Sequence, residues 1–347
     1  MALDSSLIVE MNKSLQTIFT KHRLLWAILL LVTALLVTLG LSLSQGAVPL
    51  SGSELWQAIL HQGDPVKQTI LWDLRLPRII AALIVGAALG MSGTLLQGML
   101  RNSLADPFIL GISAGAGLIV IFMVVLQIFP AAIPLAAWVG AILTSAIVIF
   151  LGRAGSGIAV ERLILGGVAV SSLFGAVQST LLLLAEDGQI QIALNWLVGS
   201  LNGRGWKEIT TTGPYIIVAL LGGCLLARSL NVLALGDDLA LGLGVSLTRS
   251  RLLIGGVATL LAAGAVSISG LIGFVGLVVP HGVRLIVGTD HRFVLPLSAL
   301  AGAWLLIFAD LLSRLGAIEL PVGSVTALLG SPLFIWLLYR RSAGLNQ

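Results

Sequence analysis

The sequence predicts an all-α membrane protein with about ten transmembrane helices, and three observations predict it. Hydrophobic residues make up 57% of the 347 and charged residues only 10%, whereas a soluble domain carries roughly 25% charged residues. The apolar residues fall into runs of about 20, the length of helix that crosses a hydrocarbon core. Finally, the 19 lysines and arginines distribute asymmetrically about those runs. With this few charges no water-facing surface could be built, so lipid is the solvent for most of the exterior.

The first run covers 24–44 and follows a polar segment, 1–23, that holds Lys13, Lys21 and Arg23. It exceeds the ~7–15 residues of a signal-peptide core, which favours a retained helix. The next spans are expected at 78–100, 108–129, 131–151, 163–185, 211–230, 251–270, 272–287, 294–313 and 322–339. Gly273, Gly276 and Pro280 interrupt the 272–287 stretch and make it the least regular of the ten.

With the N-terminus in the cytoplasm, 13 basic residues fall inside and 6 outside, as the positive-inside rule requires. Both termini are then expected to be cytoplasmic, in an inner (plasma) membrane. Residues 189–202 carry Ile192, Trp196, Leu197 and Leu201 at helical spacing, which suggests an amphipathic helix at the outer interface. The single cysteine, Cys224, excludes an intrachain disulfide and reads as a packing residue. Four scattered histidines form no metal-ligand spacing.

No G-x-x-x-x-G-K-[ST] occurs, which excludes a P-loop in this chain. Intramembrane ionisable groups are few: His281 and Arg284 near one helix end, Asp310 and Arg314 near another. Ion-coupled carriers place such groups at mid-membrane, so a secondary transporter of a small metabolite is the weaker alternative to a carrier powered from elsewhere. No catalytic constellation stands out, and the chain reads as a non-enzyme.

An input for that power lies between the sixth and seventh spans. Gly236 breaks the preceding helix, and Asp237 and Asp238 favour the start of a new short one. Gly242 and Gly244 end it. Leu239, Leu241 and Leu243, with Ala240 among them, would face the cytoplasm as a docking element. An ordinary loop is the alternative on the residues alone.

Several segments together resemble the FecCD or BtuC-like permeases of iron–siderophore, haem and vitamin B12 ABC importers. They are Leu74–Arg78, Gly86–Leu89 with Ser92-Gly93, Asn102–Pro107 with Leu110-Gly111, Gly236–Gly244, Gly273–His281 with Arg284, Thr289–Arg292, Ala309-Asp310 and Glu319–Gly323. The resemblance covers essentially the whole chain. It implies a type II ABC importer permease fold of ten helices in a single domain, with the substrate being an iron(III)–siderophore complex, haem or cobalamin. It also implies a second permease subunit, two ATP-binding subunits that hold ATP-Mg, and a periplasmic or lipid-anchored binding protein; no cofactor is expected on this chain and no nucleic-acid partner.

By the same resemblance, Arg75, Arg78 and Arg314 are expected to meet acidic residues of the binding protein, and residues 236–245 form the coupling helix. The cytoplasmic gate is expected at Asn102 and Leu104 on one side and Val160 and Glu161 on the other. Ser103, where the B12 importer carries proline, and the Val160-Glu161 pair depart from that member of the family. Ser171, Ser172, Gln178, Ser324 and Thr326 offer polar groups to a pathway along the fifth and tenth spans, although a serine in such a helix more often bonds its own backbone.

Overall fold

A computed structural model describes residues 5–154, 157–316 and 318–344, and side chains within 24–153, 158–316 and 318–336. In chain order its helices are α1 (Ser5–Ser44), α2 (Gly52–Ile59), α3 (Pro65–Thr69), α4 (Leu76–Leu100), α5 (Ile112–Val125), α6 (Ile133–Leu151), α7 (Val160–Leu183) and α8 (Asp187–Val198). They continue with α9 (Trp206–Leu225), α10 (Ala227–Leu233), α11 (Asp237–Gly242), α12 (Leu247–Ser269), α13 (Val275–Val287), α14 (His291–Ser313) and α15 (Val322–Gly344). A two-residue antiparallel ladder, β1 (Arg153–Ala154) with β2 (Gly157–Ile158), joins α6 to α7. The side chains of Lys13, Lys21, Arg23, Arg340 and Arg341, which weigh on the expected topology, lie outside the described residues.

Seven helical stretches among the described residues are long and apolar enough to cross a membrane, and α5, α13 and α15 add three shorter apolar helices. Together these are the ten expected crossings. The ends of the bundle are called outer and inner below by the topology expected from the charge pattern.

α4 is the central post, with most of its length buried against α12, α13 and α14. Its packing depends on missing side chains. A Cβ on Gly86 would come within 2.3 Å of the Gly302 carbonyl oxygen in α14, and one on Gly93 within 1.9 Å of the Gly276 oxygen in α13. Lipid supplies no hydrophobic drive between helices, so backbone-to-backbone packing of this kind is what holds them together.

The interrupted eighth span is resolved by geometry. α13 has 13 residues, about 20 Å at 1.5 Å per residue, too short to cross alone. Gly270 and Phe274 both take positive φ, +71° and +69°, and the non-helical 270–274 segment between them brings the chain into the bundle before α13 begins. Such backbone is tolerated at membrane depth only where protein surrounds it; Trp196 and Gly199 from the α8 end lie against Gly270 and Leu271.

Candidate functional site: a coupling helix, a gate and an outer ion cluster

At the inner end α10 stops at Gly236, whose φ of +109° turns the chain into α11. Ala240 is fully buried against the bundle, whereas Leu239, Leu241 and Leu243 are 56–63% exposed. The cap residue is Gly236, so the two aspartates sit in the first turn and not at the cap. Asp237 uses its carboxylate elsewhere: both oxygens accept from an Arg251 Nη in α12 at 2.9 Å, and Arg101 approaches Oδ1 to 3.4 Å. Arg251 is buried and also donates to the Ile158 carbonyl at 2.7 Å.

Both segments expected to form the gate begin beside this arrangement. Arg101 closes α4 in the left-handed conformation, directly before Asn102. The Asn102 side chain accepts from the Leu104 N–H at 2.9 Å and shapes the turn, leaving Leu104 exposed. Ile158 precedes Val160 and Glu161, which open α7, with Glu161 exposed. Asp237 thus connects, directly to Arg101 and through Arg251 to Ile158, with the residues just before Asn102 and Val160.

Two amides, Gln97 buried and Asn231 half-buried, reinforce the inner end. Gln97 in α4 donates to the carbonyls of Ala105, Gly276 and Leu277, each at 3.2 Å, and accepts from Arg284 at 2.5 Å. Asn231 in α10 donates to Asp290 at 2.7 Å and accepts from the His291 backbone at 2.9 Å, fastening α10 to the start of α14. Nearby, Asp106 caps the turn Pro107–Leu110 through the Phe108 N–H at 2.9 Å. Burial pushes its carboxyl up to about 6.

The three arginines expected at the outer face do gather at one end, but each already has partners. Asp310, with no exposed surface, receives Arg78 at 2.7 Å and Arg314 at 3.1 Å, and Arg78 also holds Glu319 at 2.6 Å. Arg75 is 6% exposed; its guanidinium donates to the carbonyls of Leu43, Ser44 and Val48, lashing the outer end of α1 to the π-helical turn Ile70–Arg75 before α4.

The expected pathway residues do not act as one set. Gln178 donates to the Ala114 carbonyl at 2.8 Å, turned toward α5, and Ser171 lies against Gly111. Thr326 is buried and bonds its own helix at Gly323. Ser172 is exposed and Ser324 half-buried. Cys224, expected to pack, is exposed on α9.

Ten crossing helices around a glycine-packed post, with a short leucine-bearing helix braced at one end, define the membrane-spanning subunit of a transporter. The model of the FecCD transport family matches residues 34–340, and the chain belongs to that family. It is 40% identical over 324 residues to the hemin transport system permease protein HmuU of Yersinia pestis, covering 90% of this chain and 94% of that one. It is 40% identical to the cobalamin import system permease protein BtuC of Halobacterium salinarum, covering 89% and 87%. The Fe(3+)-citrate import system permease protein YfmD of Bacillus subtilis is 38% identical, covering 86% and 90%. A solved metal-chelate type ABC transporter in an inward-facing conformation superposes with a TM-score of 0.81 at 32% identity, covering 89% of this chain and 97% of that one. The chain is thus a multi-span permease subunit of an ABC importer, a transport component and not an enzyme.

Asp237 was in the expected coupling helix, but its tie to Arg251 and Arg101 was not foreseen, nor were the roles of Gln97 and Asn231. Asp290, one residue of the Thr289–Arg292 motif, was the available signal for the Asn231 contact; nothing in the spacing pointed to Gln97.

Proposed function

We propose that this permease carries an iron(III)–siderophore complex or a chelate of similar size, such as haem or cobalamin, across the plasma membrane. Two copies, or this chain and a second permease, enclose the pathway. Two ATPase subunits dock on the α11 leucines, and a binding protein delivers the chelate at the outer end. Relatives named for hemin, cobalamin and Fe(3+)-citrate support the chelate class. The observation that carries the coupling reading is the Asp237–Arg251 pair, which joins an exposed docking helix to the chain entering α7.

In this mechanism ATP-driven closure of the partner subunits moves α11. Because Asp237 is held by Arg251 and faces Arg101, the motion reaches Ile158 and Asn102 together, and the gate strands separate. No residue of this chain forms a bond to the substrate. Charge at the outer rim sets the register of the docked binding protein more than its affinity. Arg78 and Arg314 are better placed for this than Arg75, because their cluster includes the partly exposed Glu319, with which an incoming carboxylate can exchange.

The test is reconstitution in liposomes with the ATPase and binding protein of the same system. ATP-dependent uptake of a ferric chelate, with no uptake by the permease alone under a proton gradient, is the expected result. Gradient-driven uptake of a small metabolite by the permease alone would instead establish a secondary transporter.

A further inference from the structure

At the outer end α6 and α9 both lean on α12, and a cavity of about 940 Å³ lies between their first turns. That is the size of a small-molecule site. Its floor is the pair Thr212 and Ser267, 3.4 Å apart and buried. One wall is aromatic, where the rings of Trp138 and Tyr215 meet at 6.0 Å.

The charges lining it are unequally engaged. Glu208 accepts from the Gly205 N–H at 3.0 Å as the cap of α9, and Glu319 is held by Arg78. Arg204 and Lys207 have no ion pair and no side-chain hydrogen bond among the described residues; Arg204 feels Glu208 only through its field. Arg204 Nε and Trp138 Nε1 are moreover buried N–H donors with no acceptor. Buried donors are nearly always satisfied, so the orphaned N–H groups of Arg204 and Trp138, with the Lys207 ammonium lining the same cavity, call for an anionic acceptor.

We propose that this cavity binds the phosphodiester headgroup of an anionic phospholipid. Phosphate matches a guanidinium fork with an ammonium beside it. The lipid source follows from the surroundings. Below the cavity Leu135, Val139 and Leu143 on α6 and Val218 and Leu221 on α9 are exposed, giving acyl chains apolar helix surface that begins at the headgroup. Tryptophan and tyrosine at the mouth are the residues that settle at headgroup depth. Naming the leaflet as the outer one rests on the orientation proposed above; the site does not.

The test uses the purified full chain in detergent, titrated with phosphatidylglycerol, phosphatidylcholine, inorganic phosphate or ferric citrate. Native mass spectrometry and thermal melting report binding. Phosphatidylglycerol is expected to stay bound and raise the melting temperature, and Arg204→Gln with Lys207→Gln should weaken it about tenfold or more. Trp138→Phe, which keeps the ring and deletes the donor, should weaken it less and serves if the double variant does not fold. Equal binding of phosphatidylcholine, or binding unchanged in both variants, overturns the proposal. Protection by phosphate alone, or displacement of the lipid by ferric citrate, overturns it in favour of a soluble anion. None of these outcomes depends on whether the transporter reading holds.

Discussion

Asp237 on the six-residue helix α11 receives both of its close contacts from one Nη of Arg251, at 2.9 Å to each carboxylate oxygen. The same arginine, through its other Nη, holds the Ile158 carbonyl. A helix that, with its C-cap, presents three exposed leucines is thereby joined to the chain that enters α7. A hydrogen bond to a charged group contributes about 1.5–3 kcal/mol, and on the proposed coupling route this pair is the link that a docked partner would move.

Asp237→Asn keeps the shape and removes the charge. In liposomes with the partner ATPase and binding protein, ATP-driven uptake should fall about tenfold or more, in line with the loss of one such bond. ATP hydrolysis and co-purification of the ATPase should persist, because the leucines are untouched. Uptake equal to wild type would remove the pair from the coupling route.

The number and order of crossings were legible in the sequence because each crossing carries its own apolar run. Even α13 was placed within three residues at its start, although only the structure explains how a 13-residue helix suffices. The contacts that organise the site were not legible. Arg78 and Asp310 are 232 positions apart, and no periodicity relates them, so the sequence could assign Arg78 to the outer end but could not show that it is buried in an ion pair. Gln178 illustrates the same limit: a polar group in an apolar helix marks a bonded site, and only the fold shows that it donates to Ala114 on α5.

The outer cluster separates fastening from docking. Arg75→Gln should lower the melting temperature of the purified chain, because two carbonyls at the end of α1 and that of Val48 just beyond it lose their donor. The surviving folded protein should bind the binding protein with unchanged salt dependence. Arg78→Ala strips Asp310 of one of its two cations, and removing one partner of a buried pair costs about 3–5 kcal/mol. It should both destabilise and weaken binding-protein association, and Asp310→Asn in addition should restore stability but not association. Association restored along with stability would assign the cluster a purely structural part.

Glycine positions give a packing test with an internal control. Gly86→Ala would force a methyl to within 2.3 Å of the Gly302 oxygen, and overpacking of this kind costs about 1–3 kcal/mol or more. Gly222→Ala meets nothing within 4 Å in α9 and gains about 0.5–1 kcal/mol of helix propensity. Thermal melting in detergent should therefore move in opposite directions for the two. A Gly86→Ala protein as stable as wild type would mean that α4 and α14 are not in backbone contact.

Asp106 makes the stability of the inner loop depend on pH. Its carboxyl titrates at about 6 in the folded chain, raised by burial from the ordinary 3.8. The folded state therefore binds the proton more tightly than the unfolded one, and stability is lost as pH rises. Below about pH 4 both states are protonated and the acid is undisturbed; between 4 and 6 the folded state begins to carry a half-buried, partly desolvated carboxylate; above 6 the whole of that cost is present. Asp106→Asn retains an oxygen to cap Phe108 and carries no charge. Relative to wild type it should melt higher at pH 7.5, and the gap should close as pH falls toward 4. Melting curves across that range decide the matter: a gap that stays constant with pH would show that Asp106 is not titrating there, and a lower melting temperature for Asp106→Asn at pH 7.5 would show that the carboxylate is stabilised in the loop.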